Sequence, residues 1–147
     1  METQQLRMQE WMNMMREVFR VFKKRIESIQ DENIKLSADQ FGLLHNITIK
    51  SEEVIQQDMA EIMCKDKSAI LRLIDSLEHK GLVRRVTDLK DRRKNYLMVT
   101  KSGHQVLDYY KEILSELLQG MYKGITQEEI ETFNNVIRKI KINAEKL

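Results

Sequence analysis

Apolar residues recur at spacings of three and four near the start of the chain, at Trp11, Met15, Val18, Phe22, Ile26 and Ile29, with Met8, Met12, Met14 and Phe19 widening the stripe. That pattern predicts a long amphipathic helix, and a helix so apolar needs a surface to pack on. A second helix is predicted from Ser37. Gln40 stands three residues on, the spacing of a capping box, and Phe41, Leu44 and Ile47 face inward. A third helix covers about Ile55 to Met63 with Met59 and Ile62 inward, its start open between Ser51 and Ile55. A fourth runs from about Lys67 to Lys80, with Asp66 as N-cap. Its apolar face is Ile70, Ile74 and Leu77, broadened by Leu71 and Leu73. Gly81 is placed to end it, because glycine enters the left-handed region without strain.

Beyond Gly81 the period changes. Leu82 to Val86 and Asn95 to Val99 are short and rich in strand formers, with the charged stretch Thr87 to Lys94 between them; together they predict a two-stranded hairpin. Thr100 then caps a long helix with Val106, Tyr110, Ile113, Leu117 and Met121 on one face, which Gly120 and Gly124 end or interrupt. Thr126 and Glu129 form another capping box, opening a last helix with Ile130, Phe133, Ile137 and Ile140 inward. The fold class is therefore mostly α with a small β-hairpin wing. The order of elements is that of a winged helix–turn–helix, with further apolar helices at both ends.

Composition narrows the class. The absence of proline and a count of five glycines suit a helical chain. With 147 residues, 41% hydrophobic and 33% charged, residues 1–147 read as a single soluble domain with a core of ordinary size. No apolar run approaches the roughly 18 residues that span a bilayer, and the polar N-terminus has no signal-like segment, so a cytoplasmic location is expected. The single Cys64 has no internal disulfide partner. Net charge is only +2, but residues 65–104 carry eleven Lys and Arg against five Asp and Glu. A localised basic block is the footprint of a DNA reader; a solvated surface that happens to be basic reads the same way.

The fourth helix offers Lys67, Ser68, Ala69 and Arg72 in its first turns. Arg donates bidentately to guanine, Ser and helix N-terminal amides suit phosphate, and an alanine methyl can meet a thymine methyl. An ordinary amphipathic surface helix has the same composition. Gln56 and Gln57 are candidate phosphate contacts. The hairpin tip carries Asp91, Arg92, Arg93 and Lys94; a narrow minor groove attracts inserted Arg, and an adjacent carboxylate can orient a guanidinium. The rival reading is a solvated charged turn. Cys64, with Lys65 and Lys67 close in sequence, is either a reactive thiol or a small residue at a helix end, buried or half-buried. His45, His79, His104 and Cys64 lack metal-ligand spacing. No Gly-rich phosphate loop, zinc-protease motif or nucleophile–base pattern points to an enzyme or a cofactor.

The run from Asp66 to Val83, and Asp88-Leu89-Lys90-Asp91-Arg92-Arg93 followed by Leu97 to Gly103, resemble the recognition helix and wing of MarR-family regulators. That resemblance implies a sequence-specific DNA-binding transcription regulator, a repressor, acting as a homodimer on a pseudo-palindromic operator. Residues 1–36 and 104–147 would be dimerisation helices and 37–103 the DNA-binding lobe. Half-sites would lie about 10–10.5 bp apart or a multiple of that. It implies Lys67, Ser68 and Arg72 in the major groove and Arg93 inserted from the wing tip, with Arg92 on phosphate or scaffold and Asp91 orienting the pair. Lys90 departs from the family, where arginine is common; lysine keeps the charge but loses planar pairing. The family often senses a small aromatic effector in a cleft, here lined by Trp11, Met15, Phe41, His45 and Tyr110, each of which reads equally as core. Alternatives are a winged-helix protein–protein interaction module and a thiol-based sensor working through Cys64.

Overall fold

The N-terminal stripe folds as one helix. In the computed structural model α1 spans Glu2–Glu27, α2 Ala38–Ile49, α3 Gln56–Ile62 and α4 Lys67–His79. Strands β1 (Val83–Thr87) and β2 (Asn95–Val99) follow, then α5 (Lys101–Met121) and α6 (Gln127–Ala144). The structure describes residues 2–29, 31–32, 34–50, 56–88 and 95–147, without the side chains of residues 2, 4, 56 and 57. The chain forms two compact units, Met1–Leu114 and Ser115–Leu147.

In the first unit, local hydrogen bonds set the helix ends. The Ser37 hydroxyl accepts the Gln40 N–H at 3.2 Å, and the Gln40 carboxamide oxygen accepts the Ser37 N–H at 2.9 Å. The other end of Gln40 donates to Ser76 Oγ at 2.7 Å, stitching α2 to α4. The core is Leu43, Leu44 and Ile47 of α2, Met59 of α3, and Ile70, Ile74 and Leu77 of α4, closed by Leu82, Val83, Leu97, Val106, Leu107 and Tyr110. Burial of each such side chain contributes about 1.5–3 kcal/mol before entropy is counted.

At the end of α4, Gly81 takes φ +69 and the Leu82 N–H returns to the Leu77 carbonyl at 2.9 Å, a Schellman-type closure. That bond occupies Leu82, so β1 begins at Val83, one residue later than the sequence pattern suggests. β1 and β2 pair antiparallel, Val83 opposite Val99 and Arg85 opposite Leu97. Thr100 joins the hairpin to α5. Its N–H donates to Leu82 O at 3.0 Å, its hydroxyl donates to Gly81 O at 2.6 Å, and its Oγ1 accepts the Gly103 N–H at 3.0 Å.

Several apolar positions are exposed, among them Ile62, Phe133 and Ile140, which were expected to face inward. Ile62 is 39% exposed; α3 has only two turns, and Met59 already fills its inward place. On α1, burial begins at Ile26, whereas Met12 and Phe19 are exposed. In the second unit α6 opens with the expected capping box of Thr126 and Glu129. Yet α6 buries no residue, and Phe133 and Ile140 are exposed. Its apolar stripe faces a surface that one chain leaves uncovered. Gly120 lies within α5, and Gly124, at φ +81, turns the chain before α6. Among the described residues no helix is long and apolar enough to cross a membrane.

Candidate nucleic-acid interface

The start of α4 is built by Asp66, whose extended backbone (φ −67, ψ 154) caps the helix. One carboxylate oxygen accepts the Ala69 N–H at 2.8 Å and the Ser68 hydroxyl at 2.5 Å. Those two bonds, the Ser68 hydroxyl first, hold the Asp66 carboxyl below its ordinary range. The first two turns thus present Lys67, Ser68 and Arg72 to solvent, with Lys67 and Ser68 on the end where helix amides and dipole favour anions. Two site expectations change. Ala69 is half-buried, so its methyl is only partly presented. The Ser68 proton is directed at Asp66, so that hydroxyl offers lone pairs outward, not a donor.

The ribbon leaves α4 under restraint. Arg85 of β1 donates through its guanidinium to the carboxylates of Asp75 and Glu78, and its backbone N–H reaches Glu78 Oε1 at 3.1 Å. Burial alone would lower the Arg85 pKa, but hydrogen bonding and charge from Asp75 and Glu78 raise it. Further out, the Thr87 hydroxyl donates to Asn95 Oδ1 at 3.2 Å and the Tyr96 hydroxyl to Asp88 Oδ2 at 2.6 Å. Asp91, Arg92, Arg93 and Lys94 lie outside the described residues, as does the side chain of Gln56 at the start of α3. The Arg85 link was not anticipated from the sequence. Its only trace there is two carboxylates three apart on α4 and an arginine beyond the turn.

Of the five residues expected to line an effector cleft, three meet. Phe41 stacks on His45 with ring centroids 5.8 Å apart and on Tyr110 at 5.4 Å. The buried Tyr110 hydroxyl accepts the Leu36 N–H at 2.7 Å; burial is the main cause that raises its pKa. Trp11 and Met15 are half-buried on α1. A separate groove of about 480 Å³ in the second unit is lined by Tyr122, Ile125, Ile130 and Phe133 among others, and by none of these five. Cys64 is exposed, not half-buried, at φ 49, with Sγ 3.7 Å from Glu61 O. The neighbouring Lys65 is paired to Asp39 at 3.0 Å.

A helix–turn–helix whose last helix passes through a glycine turn into a two-stranded ribbon defines a winged helix–turn–helix protein. Residues 36–94 match the model of the MarR family. The chain is similar to the transcriptional regulator BldR from Sulfolobus solfataricus, at 29% identity over 90% of this chain and 96% of that one, with a TM-score of 0.73. It shares its fold with MepR from S. aureus, solved as a DNA complex, at 20% identity over 90% and 97% of the two chains and a TM-score of 0.77. PcaV from Streptomyces coelicolor, solved with its natural ligand, matches at 20% identity over 89% and 91%, with a TM-score of 0.71. Over residues 36–94 the chain resembles the MarR family, and its fold is that of these winged-helix structures.

Proposed function

We propose that this chain is a sequence-specific DNA-binding transcription regulator that acts as a homodimer. The observation that carries the reading is the presentation of Lys67 and Arg72 on the capped, solvent-facing start of α4, beside a ribbon in the basic block. Lys67 and Arg72 enter the major groove. Arg93 reaches the flanking minor groove, with Asp91 orienting it and Arg92 and Lys94 on the backbone. Ser68, Ala69 and Gln56 are peripheral to these contacts. The DNA complex of MepR supports this docking, and a cytoplasmic location goes with it. Arg93→Ala is expected to weaken binding to the preferred duplex by about 1–3 kcal/mol, the range of a lost groove contact, with the oligomer intact. An unchanged affinity in a fluorescence titration removes Arg93 from the interface.

The dimer explains apolar faces that a single chain leaves open. An 18-residue helix with no buried residue is marginal in water without tertiary packing, and Phe19 and Met12 on α1 are similarly uncovered. Residues 1–36 and 104–147 of two copies pack on each other, with 37–103 as the reading lobe. Light scattering at micromolar concentration is expected to give twice the chain mass of 17.5 kDa; a monomer contradicts this arrangement. Repression, with release by a small aromatic ligand near Phe41, His45 and Tyr110, completes the reading. Phe41 and His45, stacked and half-buried, supply the aromatic faces such a ligand favours.

A further inference from the structure

The inference rests on the lobe being a DNA reader, and it concerns a residue placed on no DNA contact. Arg85 sits where β1 leaves α4, its side chain one-quarter exposed. Its guanidinium takes Asp75 and Glu78 together, two carboxylates on one edge of the last turns of α4. Ion pairs this near the surface add little to stability. Other bonds already hold the junction: the Leu82 N–H to Leu77 O, and the Arg85 backbone N–H to Glu78 Oε1. What the guanidinium adds is direction, because a planar fork on two acceptors fixes an angle that a single bond leaves soft.

That angle governs how two contacts fit one duplex. A ribbon rises ~3.3 Å per residue, so turning its base by about 10° moves a point five residues on by about 3 Å, a whole hydrogen-bond length. We propose that Arg85 is a positioning residue which sets the angle between recognition helix and wing, and so favours the preferred sequence over bulk DNA without touching DNA itself.

The test titrates wild type, Arg85→Met, Arg85→Lys and Glu78→Gln against two probes across a salt series. One probe is a duplex enriched from a random library by the wild-type protein; the other is mixed-sequence duplex. Hydroxyl-radical footprints on the enriched duplex accompany the titrations. Arg85→Met is expected to lose about tenfold in the ratio of preferred to bulk affinity. Its bulk affinity and salt slope should stay unchanged, with weakened flank protection and persistent central protection. Lysine, able to take one carboxylate at a time, should fall between. Glu78→Gln, which keeps an acceptor for the backbone N–H, should lose part of the ratio; it and the lysine variant carry the test if the methionine variant fails to fold. An unchanged ratio overturns the proposal. So does a uniform loss of affinity with the salt slope reduced by about one, the mark of a phosphate contact. If the wild type itself shows no salt-dependent binding, the DNA reading falls and takes this inference with it; wild-type binding with indifferent variants removes Arg85 alone.

Discussion

Gly103→Ala is expected to lower stability by about 3 kcal/mol, read as a shift in the urea midpoint. Propensity alone argues the opposite sign, since alanine is better than glycine in a helix by about 1 kcal/mol. Contact decides it. A Cβ built on Gly103 would lie 2.2 Å from Leu82 O and 2.7 Å from Val99 Cγ1. The first of these is backbone, already accepting the Thr100 N–H at 3.0 Å, so it cannot swing aside as a side-chain tip would. The first turn of α5 would have to lift from the base of the ribbon, breaking the Thr100 bonds that join hairpin to helix. A midpoint equal to or above that of the wild type would show that this junction is not close-packed.

Tyr110→Ala is expected to cost about 3–5 kcal/mol, the range for truncating a buried aromatic, and to leave little of a total that is about 5–15 kcal/mol for a domain. Tyr110 is fully buried, stacks on Phe41 and satisfies the Leu36 N–H just before the α2 cap. Tyr110→Phe separates the two roles. It keeps the ring and orphans the amide, a loss of about 1–3 kcal/mol. Thermal or urea unfolding of both variants checks the pair; a phenylalanine variant as stable as wild type would mean the Leu36 amide finds another partner at no cost.

Sequence reasoning works where a contact is local. Ser37 with Gln40, Asp66 before α4, Gly81 after it and Thr126 with Glu129 were all legible, because each is a bond between residues a few positions apart. The change of period after Gly81 likewise marked the ribbon, since alternation reports a half-exposed strand. Gly103 was visible only as part of a family motif; the reason for a glycine there, the approach of Leu82 O, needs the chain reversal. Arg85 was legible as charge and not as a link, because its partners lie back across the Gly81 turn on α4. The bond from the Ser68 hydroxyl to Asp66 was not legible, because either the hydroxyl or the backbone can take a capping carboxylate. The apolar stripes of α1 and α6 were read correctly as stripes. The inward direction read for α6 was not, because an amphipathic pattern states which face avoids water and not which molecule covers it. The wing-tip residues 89–94 lie outside the described residues, so their assignment stays with the sequence.

The central claim is that this winged lobe binds duplex DNA through clustered cations, and salt tests it most directly. Binding to mixed-sequence duplex is to be titrated from about 50 to 200 mM salt. Each phosphate neutralised steepens the log–log slope by about 0.9, so a dimer making six to ten such contacts would lose roughly 10³–10⁵ in affinity over that range. The account predicts a steep negative slope. A slope near zero, or no binding at the lowest salt, would contradict it.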